Sequence, residues 1–170
     1  VPEERVLQDD EVVRDEQVLG EGWNQPVALR DPTAHAEIIA MRNAAQKVGD
    51  YRLGGATLYV TLEPCPMCAA AITHARIARL VFGAWDPRQG AAGSAFNLVT
   101  APEMNHRVDS FGGVLSEECG AVLKRFFDNS ARNPAVAAGV GLDRHRRCFE
   151  GIEGDPGVAA DGEGERFDGL

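Results

Sequence analysis

The sequence predicts an α/β domain in which helices cover a central sheet. Three observations carry this. Some segments repeat apolar residues at helical spacing, others are short β-branched and aromatic runs of strand length, and the two kinds alternate along the chain. The 170 residues suit one domain, and a hydrophobic content of 44% is enough for a core.

The elements follow in order. Residues 12–19, rich in Val and Leu but broken by R-D-E-Q, read as a bent or hairpin-like strand, and residues 20–31 as a loop. From Thr33 to about Lys47, Ala34, Ile38, Met41 and Ala45 recur at helical spacing, and Gly49 supplies a stop. The run A-T-L-Y-V-T-L at 56–62 is a strand by composition. Pro64 then suits the first turn of a helix reaching about Ala75. Residues 77–84 form a second apolar strand and 83–93 a loop. A short helix is expected around 94–99 and a short strand near 107–110. The closing helix runs over 116–130, with Ser116 as N-cap and Glu117 and Glu118 in its first turn. Beyond Pro134 the chain is rich in Ala, Gly and Asp, so residues 1–133 are expected to form the domain and 134–170 a largely disordered tail.

Net charge is −9, but it is unevenly placed. Residues 1–21 hold eight acids against two bases, and residues 148–170 seven acids against one base. The stretch between them holds 14 bases against 11 acids, which tolerates a polyanion without being a strong basic footprint. No apolar run is long enough to cross a membrane, and the first residues lack the pattern of a signal peptide, so a cytoplasmic protein is expected.

The chemistry begins at T-L-E-P-C-P-M-C, residues 61–68. Cys65 and Cys68 are three apart, so both thiols share one face of a first helical turn, where the helix end favours thiolates. C-x-x-C also occurs in redox sites and in ordinary packing. The redox reading wants a thioredoxin-like context, which nothing else in the chain supplies. His35 offers a neutral nitrogen at the start of another helix. Three protein ligands leave a fourth tetrahedral position for water, the arrangement of catalytic zinc. A structural site would need a fourth ligand, and His74, His106 and Cys119 lie away from both helix starts. Glu37, two residues past His35, is then free for general acid–base work, worth typically ~10²–10⁴-fold. The pattern H-A-E followed by P-C-P-M-C matches H-x-E…P-C-x-x-C, the signature of zinc nucleobase deaminases. The expected reaction is hydrolytic deamination. Water attacks the amino-bearing carbon of a base, Glu37 protonates a ring nitrogen and then the departing ammonia, and backbone near Pro64 and Cys65 holds the attacking oxygen.

Further motifs narrow the substrate. The chain carries G-E-G-W-N (20–24), D-P-T-A-H-A-E (31–37), Y-R-L (51–53), A-T-L-Y-V-T-L-E-P-C-P-M-C (56–68), R-I-A-R-L-V-F-G-A-W-D-P (76–87), G-A-A-G-S (90–94), M-N-H-R-V (104–108) and F-F (126–127). With these it resembles the bacterial tRNA adenosine deaminases, which convert the wobble adenosine of an anticodon to inosine. The resemblance covers roughly residues 18–127. It implies a three-layer α/β/α cytidine-deaminase-like fold with a five-stranded mixed sheet, one Zn²⁺ per subunit, and a homodimer with tRNA bound across it. It also implies that Asn24 contacts the purine edge, that Leu62, Pro64 and Ala84 shape the base site, and that Asp86 holds the nucleic-acid backbone. Trp85, Arg88, Arg107 and Phe127 are candidate RNA contacts.

Two departures stand out. The family places a helix ahead of the first strand, and on this sequence that helix is expected to be absent. Its first strand is lined by small apolar residues, where this chain has Asp9, Asp10 and Glu11. Burying unpaired carboxylates is costly, so residues 1–11 are expected to stay out of that strand. At the other end, Arg144, Arg146 and Arg147 form a short basic cluster, read as a solvated helix end. Two rival functions share much of the same sequence. One is a small-molecule deaminase acting on guanine, cytosine or a nucleotide. The other is an inactive RNA-binding subunit, whose usual mark is loss of the glutamate that Glu37 supplies here.

Overall fold

The computed structural model describes residues 9–132, less the side chains at 127 and 129–132. The predicted tail, the basic cluster at Arg144, Arg146 and Arg147, and Cys148 lie outside the described residues.

Strands β1 (Asp10–Arg14) and β2 (Gln17–Gly22) form an antiparallel hairpin whose turn residues, Asp15 and Glu16, have φ of 50° and 63°. Two positive-φ residues in a two-residue loop match the right-handed twist of the flanking strands. A four-residue helix α1 (Pro26–Leu29) lies in what reads from sequence as an uninterrupted loop. Helix α2 (Ala36–Val48) follows and stops at Gly49, whose φ of 76° takes the left-handed cap conformation. Then come β3 (Thr57–Leu62), α3 (Pro66–His74), β4 (Arg79–Ala84), β5 (Asp109–Phe111) and α4 (Ser116–Arg132).

The sheet order is β2-β1-β3-β4-β5. β1 pairs antiparallel with β2 and β3, while β3–β4 and β4–β5 are parallel, so the sheet is mixed and five-stranded as expected. Alternation along the strands sorts the core into two faces. Leu58, Val60, Leu80, Phe82 and Val12 pack with Ile38, Met41 and Ala44 of α2 and with Ala69 and Ile72 of α3. Tyr59, Val81, Ala84 and Val13 pack on the opposite face against Cys119 and Leu123 of α4. Two helices, a sheet and one helix make the three layers.

The glycines of β2 set how closely α2 approaches. A Cβ on Gly20 would stand 2.3 Å from the backbone nitrogen of Ala44 and 2.5 Å from the carbonyl oxygen of Ala40. The strand and the helix backbone are in direct contact, which only a residue without a side chain permits.

Two expectations are corrected. Asp10 and Glu11 do enter the first strand: Asp10 pairs with Gly22, Glu11 with Glu21 and Tyr59, and both are buried. Val12 and Val13 pack on opposite faces of the core, and a one-residue slip would bring Glu11 or Arg14 into a valine's place. The helix expected at 94–99 is absent. That segment turns back on itself through an isolated bridge between Ala92 and Asn97, with Gly93 at φ 142°. Its own amides pair with the residues just before it: Phe96 N–H donates to Gly90 C=O and Leu98 N–H to Ala91 C=O, both at 2.9 Å, so the segment is held as a return loop and Leu98 makes no i→i−4 bond.

Candidate active site

The site is built at two helix starts. Asp31 shapes the approach to the first: its carboxylate accepts from Thr33 N–H (2.8 Å) and Thr33 Oγ–H (2.7 Å) and pairs with Arg42 at 3.1 Å. These hydrogen bonds hold Asp31 below the usual carboxylate range. His35 is the N-cap of α2 and Cys65 the N-cap of α3, each with an extended backbone. His35 Nδ1 lies 3.7 Å from Cys65 Sγ and 3.6 Å from Cys68 Sγ, and the three donor atoms fall within 4.8 Å of one another. Zinc bonds of ~2.0–2.1 Å to nitrogen and ~2.3 Å to sulfur at tetrahedral angles require a nitrogen-to-sulfur edge of about 3.6 Å. The donor set therefore fits zinc in both distance and chemistry. Between the two thiols, the hydrogen bond with Cys68 pulls Cys65 down to about 4, while the same bond and burial push Cys68 up.

Glu37 lies in the first turn of α2, 8% exposed, and burial holds its carboxyl above the usual range. His35 and Glu37 are not related as i and i+2 on a regular helix, because the His35 backbone is extended. Both line one cavity of about 370 Å³, together with Asn24, Leu62, Cys65 and Asp86. Ligand, carboxyl and wall converge on a single space of the size that holds small molecules, ~300–1,000 Å³.

The comparisons with known proteins bear on this constellation. The family profile of the cytidine and deoxycytidylate deaminase zinc-binding region matches residues 11–84. A tRNA-specific adenosine deaminase of Haemophilus influenzae is 53% identical over 127 residues, spanning 75% of this chain and 71% of that relative. The chain belongs to the tRNA-specific adenosine deaminase family. The Agrobacterium fabrum member is 46% identical over 116 residues, which is 68% of this chain and 76% of its own length. A solved structure from a study of A-to-I editing by tRNA:A34 deaminases is 44% identical with a TM-score of 0.65, covering 67% of this chain and 83% of that one. A guanine deaminase from Nitrosomonas europaea shares the fold, with a TM-score of 0.62 at 22% identity over 74% of this chain and 84% of its own.

For this member of the deaminase family, the placement of the remaining expected residues is mixed. Asn24 lines the cavity, and its Oδ1 accepts from Ala36 N–H at 3.2 Å, so it also caps α2. Asp86 lines it too, with Oδ1 accepting from Arg88 N–H (3.0 Å) and Gln89 N–H (3.2 Å). Pro64 and Ala84 are buried and do not line it. Their carbonyls accept from Ala91 N–H and Glu63 N–H instead. Trp85, Arg88 and Arg107 are exposed outside the cavity, with Trp85 edge-on to Phe82 at 4.7 Å. The side chain of Phe127 is among those not described; its neighbour Phe126 lines the cavity with Leu123.

The sequence reading assigned no role to Asp10, Trp23, Thr61, Glu63 or Gln89, all of which border the cavity. For Glu63 a signal existed: an acid closing an apolar strand just before Pro-Cys must either point outward or find donors, and Glu63 is 2% exposed.

Proposed function

We propose that this chain hydrolyses the wobble adenosine of a tRNA anticodon to inosine, releasing ammonia, with one zinc ion per chain. The observation that carries the reading is the buried Glu37 carboxyl opening into the same cavity as His35 and Cys65, in a chain of the tRNA adenosine deaminase family. When bound by His35, Cys65 and Cys68, zinc supplies the Lewis acid that makes water nucleophilic near neutral pH. Glu37 moves the protons. It takes one from the attacking water, gives it to a ring nitrogen of the adenine, and later delivers a proton to the departing amine. Burial holds this carboxyl above its usual range, which makes it a better proton acceptor than an ordinary carboxylate.

The rest of the wall orients the base. Asn24, with Oδ1 committed to Ala36, turns its amide nitrogen to an acceptor on the purine edge. Leu62 supplies an apolar surface, while Trp23 and Phe126 offer aromatic faces at the rim for a base taken out of its stack. Asp86, Arg88 and Trp85 engage the RNA around the mouth, with Pro64 and Ala84 holding the wall by their backbones. Arg107, beside the Arg79 end of β4, is at the other end of the sheet from Ala84, away from the mouth. A homodimer in the cytoplasm completes the reading.

One assay tests it. The zinc-loaded protein is incubated with an anticodon stem-loop bearing a wobble adenosine, and separately with free guanine, adenosine and cytidine. Inosine formed in the stem-loop alone is expected; ammonia released from a free base would overturn the reading in favour of a small-molecule deaminase. Glu37→Ala is expected to keep its zinc and lose turnover by ~10²–10⁴-fold. A variant with near-parental turnover would remove Glu37 from the mechanism.

A further inference from the structure

We infer that Glu63 is a positioning residue for this reaction: its carboxylate hangs the loop over 86–94, which carries the cavity wall, from the dipeptide that precedes the ligand Cys65. Glu63 Oε1 accepts from Ala92 N–H at 2.9 Å and Ser94 N–H at 3.0 Å. Oε2 accepts from Asp86 N–H at 3.0 Å and from the Ser94 hydroxyl. A carboxylate offers about four acceptor sites, and here four donors fill them. Glu63 borders the cavity, yet it has no lone pair left for substrate or proton transfer, so its effect reaches the reaction through what it holds.

The neighbouring backbone completes the suspension. Glu63 N–H donates to Ala84 C=O at 2.9 Å, and Ala91 N–H donates to Pro64 C=O at 2.8 Å. Four loop amides, those of residues 86, 91, 92 and 94, thus end on Glu63 and Pro64. Asp86, fixed by its own amide, in turn accepts from the amide of Gln89, so two wall residues depend on one carboxylate. Gly90 closes the seat: a Cβ there would stand 2.1 Å from Glu63 Oε2 and 2.6 Å from the Asp86 carbonyl oxygen.

The kinetic part of the test rests on the deaminase reading above; the exchange part does not. In Glu63→Gln, an amide group replaces one oxygen and faces donors. Amide hydrogen exchange of the zinc-loaded full chain is expected to accelerate at least ~10-fold at Asp86, Ala92 and Ser94, with α2 and β4 unchanged. Gly90→Ala leaves Glu63 in place but displaces its carboxylate, and is expected to accelerate the same amides. On the stem-loop, both variants are expected to keep one zinc and to raise KM about tenfold, with a smaller change in kcat. The double variant is expected to fall well short of the product of the two effects. Should Glu63→Gln fail to fold, Ser94→Ala removes a single donor and is expected to give the same pattern at smaller size. Exchange that is unchanged, or faster throughout the chain, would overturn the inference, as would multiplicative effects of the two variants or loss of zinc. If the parent protein does not turn over the stem-loop, the functional reading fails while the exchange pattern still judges Glu63.

Discussion

Replacing Asp10 by Asn should stabilise the protein, and increasingly so as pH rises. Asp10 is 7% exposed in β1. Burial, and after it the charge of Glu37, hold its carboxyl well above the usual range, against a lowering hydrogen bond from the Thr61 backbone. In the unfolded chain an Asp titrates near ~3.9. The folded protein therefore retains a proton that the unfolded chain releases. The stability this group supplies is full below about pH 3.9 and is lost as pH rises through the folded value. Asn is nearly isosteric, keeps an oxygen for the Thr61 amide, and does not titrate. The stability gap between variant and parent should then widen by up to about 1.4 kcal/mol per pH unit across that window and level off above it. Relief of one poorly satisfied buried polar group is worth about 1–3 kcal/mol. At roughly 4 °C per kcal/mol for a domain of this size, Tm at neutral pH should rise by ~4–12 °C. Urea unfolding from pH 4 to pH 8, with m-values compared, reads the gap directly. A gap that stays flat or narrows with rising pH would refute the reasoning, as would an Asn variant less stable than the parent at pH 7.

Other predictions follow from the same packing and donor geometry. His35→Ala removes the only nitrogen of the donor set, so zinc content after dialysis should fall from near one per chain towards zero; retention of a full equivalent would show that other groups hold the metal. In the parent, chelation should lower Tm, because zinc at 1,000 times its Kd stabilises the folded state by about 4 kcal/mol. Gly20→Ala should cost about 1–3 kcal/mol or more in urea unfolding, since its methyl would meet the α2 backbone at 2.3 Å. Parental stability in that variant would mean that β2 and α2 are less closely packed than described.

The metal ligands were legible in the sequence because their chemistry restricts residue type, and because Pro-containing helix starts mark where they stand. The nearness of Glu37 to that cluster was legible from the H-A-E spacing, and Glu37 lines one cavity with His35 and Cys65. The helix positions and the two-faced sheet followed from apolar periodicity, which is local. What escaped depends on partners far along the chain. Residues 94–99 look helical in isolation, but Phe96 and Leu98 give their amides to the carbonyls of Gly90 and Ala91, in a loop anchored by a carboxylate 29 and 31 positions before Ala92 and Ser94. Asp10 and Glu11 look unfit for a buried strand until the hairpin turn and the two valines beyond them fix the register. Nor could spacing reveal Glu63, since its donors converge only after β3 and the loop over 86–94 are side by side.

That suspension has a bearing on how the protein could be diversified. Glu63 and Pro64 grip the loop mainly by its backbone amides, which every residue but proline supplies. Side chains at Pro87, Arg88, Gln89 and Ala95 are exposed and take no part in the grip. A combinatorial library at those four positions, with Gly90 and Ser94 kept, would vary the surface beside the cavity, and at Gln89 its wall, while the attachment and the metal ligands stay as they are. The loop is in this sense a cassette on a fixed hook: its outer side chains can change while the carboxylate and carbonyl that hold it do not.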